Sequence, residues 1–244
     1  MPGKKMWKRS VAPPFYPIHR KEFKWTVKPS PGPHPADRSL PIAVILREVL
    51  GLARNLREVR YILDKEEVKV DGKVIKDYRY PVGLMDVLEI TPTNTYYRML
   101  PTKKMAVYPK PIDEGEKDRK LCRIEGKKTI KGGKIQLTLH DGRCILLENA
   151  EAAADFKPGG CLLLNLEEKD IMDYVPLEEG VTALVIGGKR QGSLAVVREI
   201  RHPKKLGPKM VSLELSDGVH VETIKDYVFP VGREEPLVTI PGGE

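Results

Sequence analysis

Arg57 and Arg60 stand three residues apart in the stretch ARNLREVRYIL, and Arg54 lies three residues before them. A guanidinium offers several N–H donors in a flat fork, so three of them on one helical face suit phosphate oxygens. A second basic group opens the chain. Over residues 1–31, Lys4, Lys5, Lys8, Arg9, Arg20, Lys21, Lys24 and Lys28 face a single acid, Glu22, giving +7 of the chain's net +8. Trp7, Phe15, Tyr16, Phe23 and Trp25 are interleaved with these cations. Rings stack on unpaired bases while cations meet phosphates, and that combination favours RNA. The rival reading is a basic tail whose rings dock on its own protein.

Acid–base chemistry has one candidate pair. IKDYRYPVG at 75–83 returns as IKDYVFPVG at 224–232, which places Asp77 and Asp226 in matched surroundings. Two carboxylates can act as acid and base, but no nucleophile, metal cluster or phosphate loop stands beside either. The helices expected before the first copy have no counterpart before the second, which argues against a duplicated domain. Both copies read as a strand exit, with proline stopping the ladder and glycine turning the chain. His19, His34, His140, His202 and His220 lack metal-ligand spacing, and G-x-S-x-G, H-E-x-x-H and P-loop motifs are absent. The expectation is no enzyme, no metal and no cofactor.

The elements that position these groups must come from 244 residues that are 41% apolar, enough for one large domain or two to three small ones. Apolar runs fall well short of the roughly 20 residues that cross a bilayer, and no signal core follows the N-terminal cations, so the cytoplasm is expected. Cys122, Cys144 and Cys161 show neither a disulfide frame nor a zinc spacing and read as reduced, buried thiols.

Eight prolines up to Pro35 hold the first segment extended, with no ordinary helix or central strand; it is expected to be disordered until RNA orders it. Ile42, Ile45, Leu46, Val49 and Leu50 form one helical stripe, with Gly51 placed to cap it. Asn55 with Glu58 three residues on signals the start of a second helix, carrying Leu56, Val59, Ile62 and Leu63 to about Asp64. Asp71-Gly72 in VKVDGKVI is a type I′ hairpin signal, decorated by Lys69, Lys73 and Lys76. Alternation at 134–139, a turn at 140–143 and runs near 120–124, 144–147 and 161–166 suggest a small β-barrel. Residues 111–180 net −4, so this part is not the principal RNA clamp and is suited to meet neighbouring proteins.

Two helices followed by a basic hairpin resemble an S-four RNA-binding domain. HRKEFKWTVKPSPGPH (19–34), VKVDGKV (68–74), DYRYPVGLMDVLEI (77–90) and ETIKDYVFPVG (222–232) together resemble the archaeal and eukaryotic small-subunit ribosomal protein S-four-e family. The strand–loop–strand at 181–200 resembles a KOW motif. There Gly187-Gly188 and Gly192 leave Lys189 and Arg190 approachable, and the cluster Arg201-His202-Pro203-Lys204-Lys205 tips that loop toward binding. The resemblance implies an α+β multidomain chain: a basic arm (1–40), an S-four domain (41–95), a central β domain (96–172) and a KOW-type SH3-like barrel (173–244). It also implies a structural constituent of the small ribosomal subunit that binds small-subunit rRNA, with neighbouring ribosomal proteins as partners. The implied contacts are Lys4, Lys5, Lys8, Arg9, His19, Arg20, Lys21, Lys24, Trp25, Lys28, Arg54, Arg57, Arg60, Lys69, Lys73, Lys189 and Arg190. One departure stands out: Glu66-Glu67 occupies the place between second helix and hairpin where such domains usually have glycine.

Overall fold

The computed structural model describes residues 6–148, 153–168, 170–201 and 207–240, so Lys4, Lys5 and the stretch His202–Lys205 lie outside the described residues. The chain divides into two compact units, Met1–Asp118 and Arg119–Glu244.

In the first unit the proline-rich segment carries only short elements among its described residues. It forms β1 (Met6–Lys8) and β2 (Trp25–Val27), an antiparallel pair that sets Trp7 opposite Thr26. Ala12, Tyr16 and Val27 enter the unit's core, with Trp7, Phe15 and Ile18 packed against it. Prolines starve this segment of N–H donors. Arg20 supplies them instead, donating to the carbonyls of Arg9, Ser10, Ala12 and Pro13 at 3.1–3.4 Å. Its own rings and one guanidinium thus tie the arm to this unit.

After β3 (Leu40–Pro41), α1 (Ile42–Val44) continues through Ile45–Val49 with a widened turn, in which Leu50 N donates to Ile45 O at 2.9 Å. The extra residue in such a turn rotates the positions that follow. Ile42, Ile45 and Leu46 are buried, whereas Val49 and Leu50 reach only half-burial. Gly51, at φ +66°, ends the helix as expected.

α2 (Leu56–Asp64) begins at a reciprocal cap. Asn55 Oδ1 accepts from the backbone N–H groups of Arg57 and Glu58 at 2.9 and 3.0 Å, and Glu58 Oε2 accepts from Arg54 N at 2.7 Å. Its far end is a Schellman turn: Glu66 N donates to Leu63 O at 3.1 Å and Glu67 N to Ile62 O at 3.3 Å. Glu66 holds the left-handed position at φ +62°, which explains why glycine suits that place. Its carboxylate is turned onto Lys76 at 2.7 Å.

β4 (Val68–Val70) and β5 (Lys73–Val74) follow, joined by Asp71 at φ +50° and Gly72 at φ +74°, a type I′ turn. β6 (Pro81–Val82) pairs with β3, and β7 (Val87–Ile90), β8 (Thr95–Leu100) and β9 (Tyr108–Ile112) extend the hairpin into a five-stranded sheet ordered β5-β4-β7-β8-β9. This sheet runs past residue 95, the boundary expected for the helix–hairpin domain, because β8 pairs directly with β7.

The second unit holds two five-stranded antiparallel sheets. The first contains β10 (Arg119–Thr129), β11 (Ile135–Leu139), β12 (Cys144–Leu147), β13 (Cys161–Asn165) and β14 (Ile171–Val175), ordered β12-β11-β10-β13-β14. The strands fall where alternation put them, in a ladder with β12 and β14 at its edges. Cys122 and Cys161 are buried thiols; Cys144 is exposed, because it takes an outward position on the edge strand β12. Beneath this sheet Lys120 Nζ lies 3.1 Å from Asp141 Oδ2, both side chains essentially without solvent contact.

The second sheet contains β15 (Thr182–Val185), β16 (Leu194–Arg201), β17 (Met210–Leu215), β18 (His220–Ile224) and β19 (Val228–Gly232), ordered β18-β17-β16-β15-β19. Ala183, Val185, Val197, Val211, Leu213 and Val228 form its core.

The repeated nonapeptide sits differently in its two copies. Pro81 pairs with Pro41 and its strand ends at Val82, so the first copy does leave a ladder at Pro-Val-Gly, whereas Pro230 pairs with Ala183 and Gly232 with Thr182, so the second copy runs on within its ladder and is not a strand exit. The first copy turns over Asp77–Tyr80, with Tyr80 N donating to Asp77 O at 3.0 Å, and the second makes a 3-10 turn over Lys225–Tyr227. The closing glycine permits close approach in both. A Cβ on Gly83 would lie 2.1 Å from the His34 ring, and one on Gly232 would lie 1.8 Å from Glu235 O.

Candidate nucleic-acid interface

The capped start of α2 fixes the three arginines. With Val59 and Leu63 buried, the helix must turn Arg57 and Arg60 to solvent, and Arg54 is exposed just before the cap. Arg60 stacks on the Tyr78 ring at 4.7 Å, which restrains its guanidinium. Lys73 is exposed on β5, while Lys69 is half-exposed and paired with Glu89 at 2.9 Å. The Lys76 hydrogen bond holds the Glu66 carboxyl below its usual range, so this acid beside the hairpin is ionised but engaged by a neighbouring cation.

The arm's candidates divide. Lys8, His19, Lys21, Lys24 and Trp25 are exposed, with the Lys24 ammonium 5.5 Å from the Trp25 ring centre; Lys28 is half-buried over Trp7 at 5.8 Å. Arg20, though exposed, is committed to backbone carbonyls. Arg9 does not reach the surface. Its side chain is 3% exposed and binds Glu22 at 3.3 Å, Glu48 at 3.1 Å and His19 O at 2.7 Å. Composition alone put Arg9 among the phosphate ligands; two carboxylates brought beside it by the fold pull it inward.

In the second unit, Lys189 and Arg190 are exposed on the β15–β16 loop. Gly188 and Gly192, at φ +84° and +85°, allow its turn, and Gly187 packs on Tyr227, where a Cβ would lie 2.8 Å from the ring. The loop borders a cleft of about 380 Å³ lined by Val185, Leu213, Val221, Ile224 and Tyr227.

Two features lie outside the sequence reading, a cleft and a basic hairpin tip. Phe23 and Arg47 join Trp25 and Arg54 around a second cleft, in the first unit. The β10–β11 hairpin presents exposed Lys128, Lys131 and Lys134 around Gly132-Gly133, a basic tip in a segment whose net charge is negative. KKTIKGGK was the available signal, and averaging charge over 111–180 hid it.

Asp77 and Asp226 fall in different units, and Asp77 Oδ1 is occupied accepting from Arg79 N at 2.9 Å. Among the described residues no cluster of three or more metal-ligating side chains occurs, and no helix is long and apolar enough to cross a membrane.

A capped helix pair with a cationic outer face, leading through a Schellman turn into a basic type I′ hairpin, defines a protein built on an S4-type RNA-binding domain. Family models agree region by region: the RS4NT domain matches residues 1–37, the S4 domain residues 40–88, and Ribosomal family S4e residues 93–171. A small ribosomal subunit protein eS4 from Ignicoccus hospitalis is 47% identical, over 99% of this chain and 96% of that protein. The one from Staphylothermus marinus is 44% identical, over 100% and 98%. The crystal structure of 30S ribosomal protein S4e from Thermoplasma acidophilum superposes with a TM-score of 0.68 at 27% identity, covering 80% of this chain and 96% of that one. The chain belongs to the small ribosomal subunit protein eS4 family. That is a family of structural components, not enzymes.

Proposed function

We propose that this protein is a structural constituent of the small ribosomal subunit that holds folded small-subunit rRNA and acts in ribosome assembly and translation. The observation that carries the reading is the coincidence of full-length kinship to eS4 proteins with an exposed arginine face on α2. Exposed Arg54, Arg57, Arg60 and Lys73 neutralise phosphates, joined by Lys8, Lys21, Lys24 and partly shielded Lys69. Specificity then comes chiefly from the shape of the folded RNA, since phosphate contacts carry register and not sequence. In this reading the N-terminal arm works as one body with the S4-type domain. The central sheet meets neighbouring ribosomal proteins, and β15–β19 serves as a KOW-type, SH3-like barrel presenting Lys189 and Arg190. The protein resides on cytoplasmic ribosomes.

Sucrose-gradient sedimentation of a tagged chain from lysate, at low and high salt, tests this. Stable co-migration with the small subunit at high salt is expected. Release at modest salt would point to a transient factor and overturn the structural role.

A further inference from the structure

We propose that the cleft between the N-terminal arm and the approach to α2 holds one unstacked base of the bound RNA, against Trp25 and Phe23, with its phosphate on Arg54. This rests on the RNA-binding reading above and adds the nature of one contact.

The cleft measures about 460 Å³, within the range of about 300–1,000 Å³ typical of small-ligand sites. The arm's rings divide in a telling way. Trp7, Phe15 and Tyr16 pack on the unit's core, whereas Phe23 is 62% and Trp25 45% exposed, and both line the cleft. Two large rings at one cleft are an exposed apolar patch of the kind that marks a binding surface. Both are backed by cations: the Arg9 guanidinium stacks 5.0 Å from the Phe23 ring centre and the Lys24 ammonium 5.5 Å from that of Trp25. Arg9 is itself locked by Glu22 and Glu48, so Phe23 rests on a fixed support. Buried Arg9 thereby acts on the ligand through another residue and is a positioning group.

Charge chooses the occupant. Arg54 lines the cleft, and Lys21 and Lys24 adjoin it in sequence, while the two acids present are engaged inside the protein, Glu22 by Arg9 and Glu48 by both Arg9 and Arg47. A flat π-face with a phosphate attached fits two rings beside the Arg54 guanidinium; an apolar peptide would offer that guanidinium no anion. Unpaired bases in loops and bulges are the parts of RNA free to enter such a site.

The chain has two tryptophans, so Trp7→Phe leaves Trp25 as the only indole emitter. Single-stranded oligoadenylate is expected to quench its fluorescence, and an abasic oligonucleotide of equal length, with the same phosphates, is expected to leave it unchanged. Trp25→Ala and Phe23→Ala should each weaken binding of the full chain to naked small-subunit rRNA by about tenfold, and Trp25→Phe should recover most of the loss. Equal quenching by the abasic strand, or unchanged rRNA affinity in Trp25→Ala, overturns the proposal. If rRNA binding survives Trp25→Ala yet falls in the Arg57→Ala/Arg60→Ala double variant, only the base site fails. If the parent chain itself does not bind that rRNA, the RNA reading fails with it. Quenching by an apolar peptide and not by oligoadenylate would make the cleft a protein-docking site and overturn the proposal.

Discussion

Arg9 Nη2 donates to a carboxylate oxygen of Glu48, 39 positions away, at 3.1 Å. That bond fastens the N-terminal segment to the helix of the S4-type domain, with Glu22 and the His19 carbonyl completing the guanidinium's partners. A residue that composition assigns to phosphate is thus a clasp of the fold. Arg9→Met should cost about 2–3 kcal/mol, because partly buried Glu48 loses a charge-assisted hydrogen bond while keeping only Arg47 at 2.8 Å. Limited trypsin digestion of the RNA-free proteins checks it: the parent should resist cleavage after Lys21 and Lys24, and the variant should be cut there. Equal cutting in both would mean the clasp does not hold the arm.

Lys120 and Asp141 set the acid limit of the second unit. Burial pushes the Asp141 carboxyl up, but Lys120, His140, Arg143 and the Arg143 backbone N–H outweigh it, and the net direction is down. A carboxyl held below its unfolded value of about 3.9 binds fewer protons folded than unfolded. Its stabilisation is therefore complete above that value and is lost as pH falls through the lower folded one. Asp141→Asn should destabilise the unit by about 3–5 kcal/mol at neutral pH, since the Lys120 ammonium loses its buried carboxylate. Urea midpoints at pH 7 and pH 3 should differ more in the parent than in the variant; identical pH dependence would remove Asp141 from the acid transition.

What the sequence makes legible is mainly local. The Asn55–Glu58 cap, the Asp71-Gly72 turn and the Gly142 turn depend on residues within three or four positions, and each is found where the pattern placed it. Long-range partners are not legible. Nothing near Arg9 in sequence names Glu48, and nothing in the interleaved rings says that Phe15 packs inward while Phe23 faces a cleft. The widened turn at Ile45–Leu50 escaped notice because an apolar stripe reports the periodicity of a helix but not one extra residue in its last turn. Pro81 and Pro230 read as ladder stops, yet Pro81 opens a two-residue strand and Pro230 lies inside the edge strand β19, places where a missing donor is tolerated. For the interface, the arginine spacing on α2 was readable; which cations the fold consumes internally was not.

The two closing glycines of the repeat offer a matched test. At Gly83 an added methyl meets the His34 ring, which is hydrogen-bonded through Nε2 to buried Asp86 at 2.9 Å, so the ring cannot swing away without breaking that contact. Gly83→Ala should cost about 1–3 kcal/mol through overpacking. Gly232→Ala should cost at least as much, because its obstacle is the Glu235 backbone oxygen and not a side chain. Thermal midpoints of the two single variants decide it. An unshifted midpoint for either would show that glycine there serves no close approach.

Replacing Arg57 and Arg60 together by alanine tests the α2 face with little risk to the fold. Both side chains are exposed, alanine is a better helix former than arginine, and the cap made by Asn55 and Glu58 is untouched. The loss should appear in the salt dependence of rRNA binding and not in stability. Each phosphate neutralised adds slightly less than one to the slope of log affinity against log salt, so the double variant should flatten that slope by about two at most. Arg60 also stacks on Tyr78, and a small packing loss accompanies its truncation. Arg57→Lys/Arg60→Lys separates charge from geometry: the slope should return with the positive charge, while affinity lost with the forked donors and the stacked guanidinium should return only in part. A slope unchanged in the alanine variant would remove this face from the RNA interface and leave the arm as the principal source of phosphate contacts.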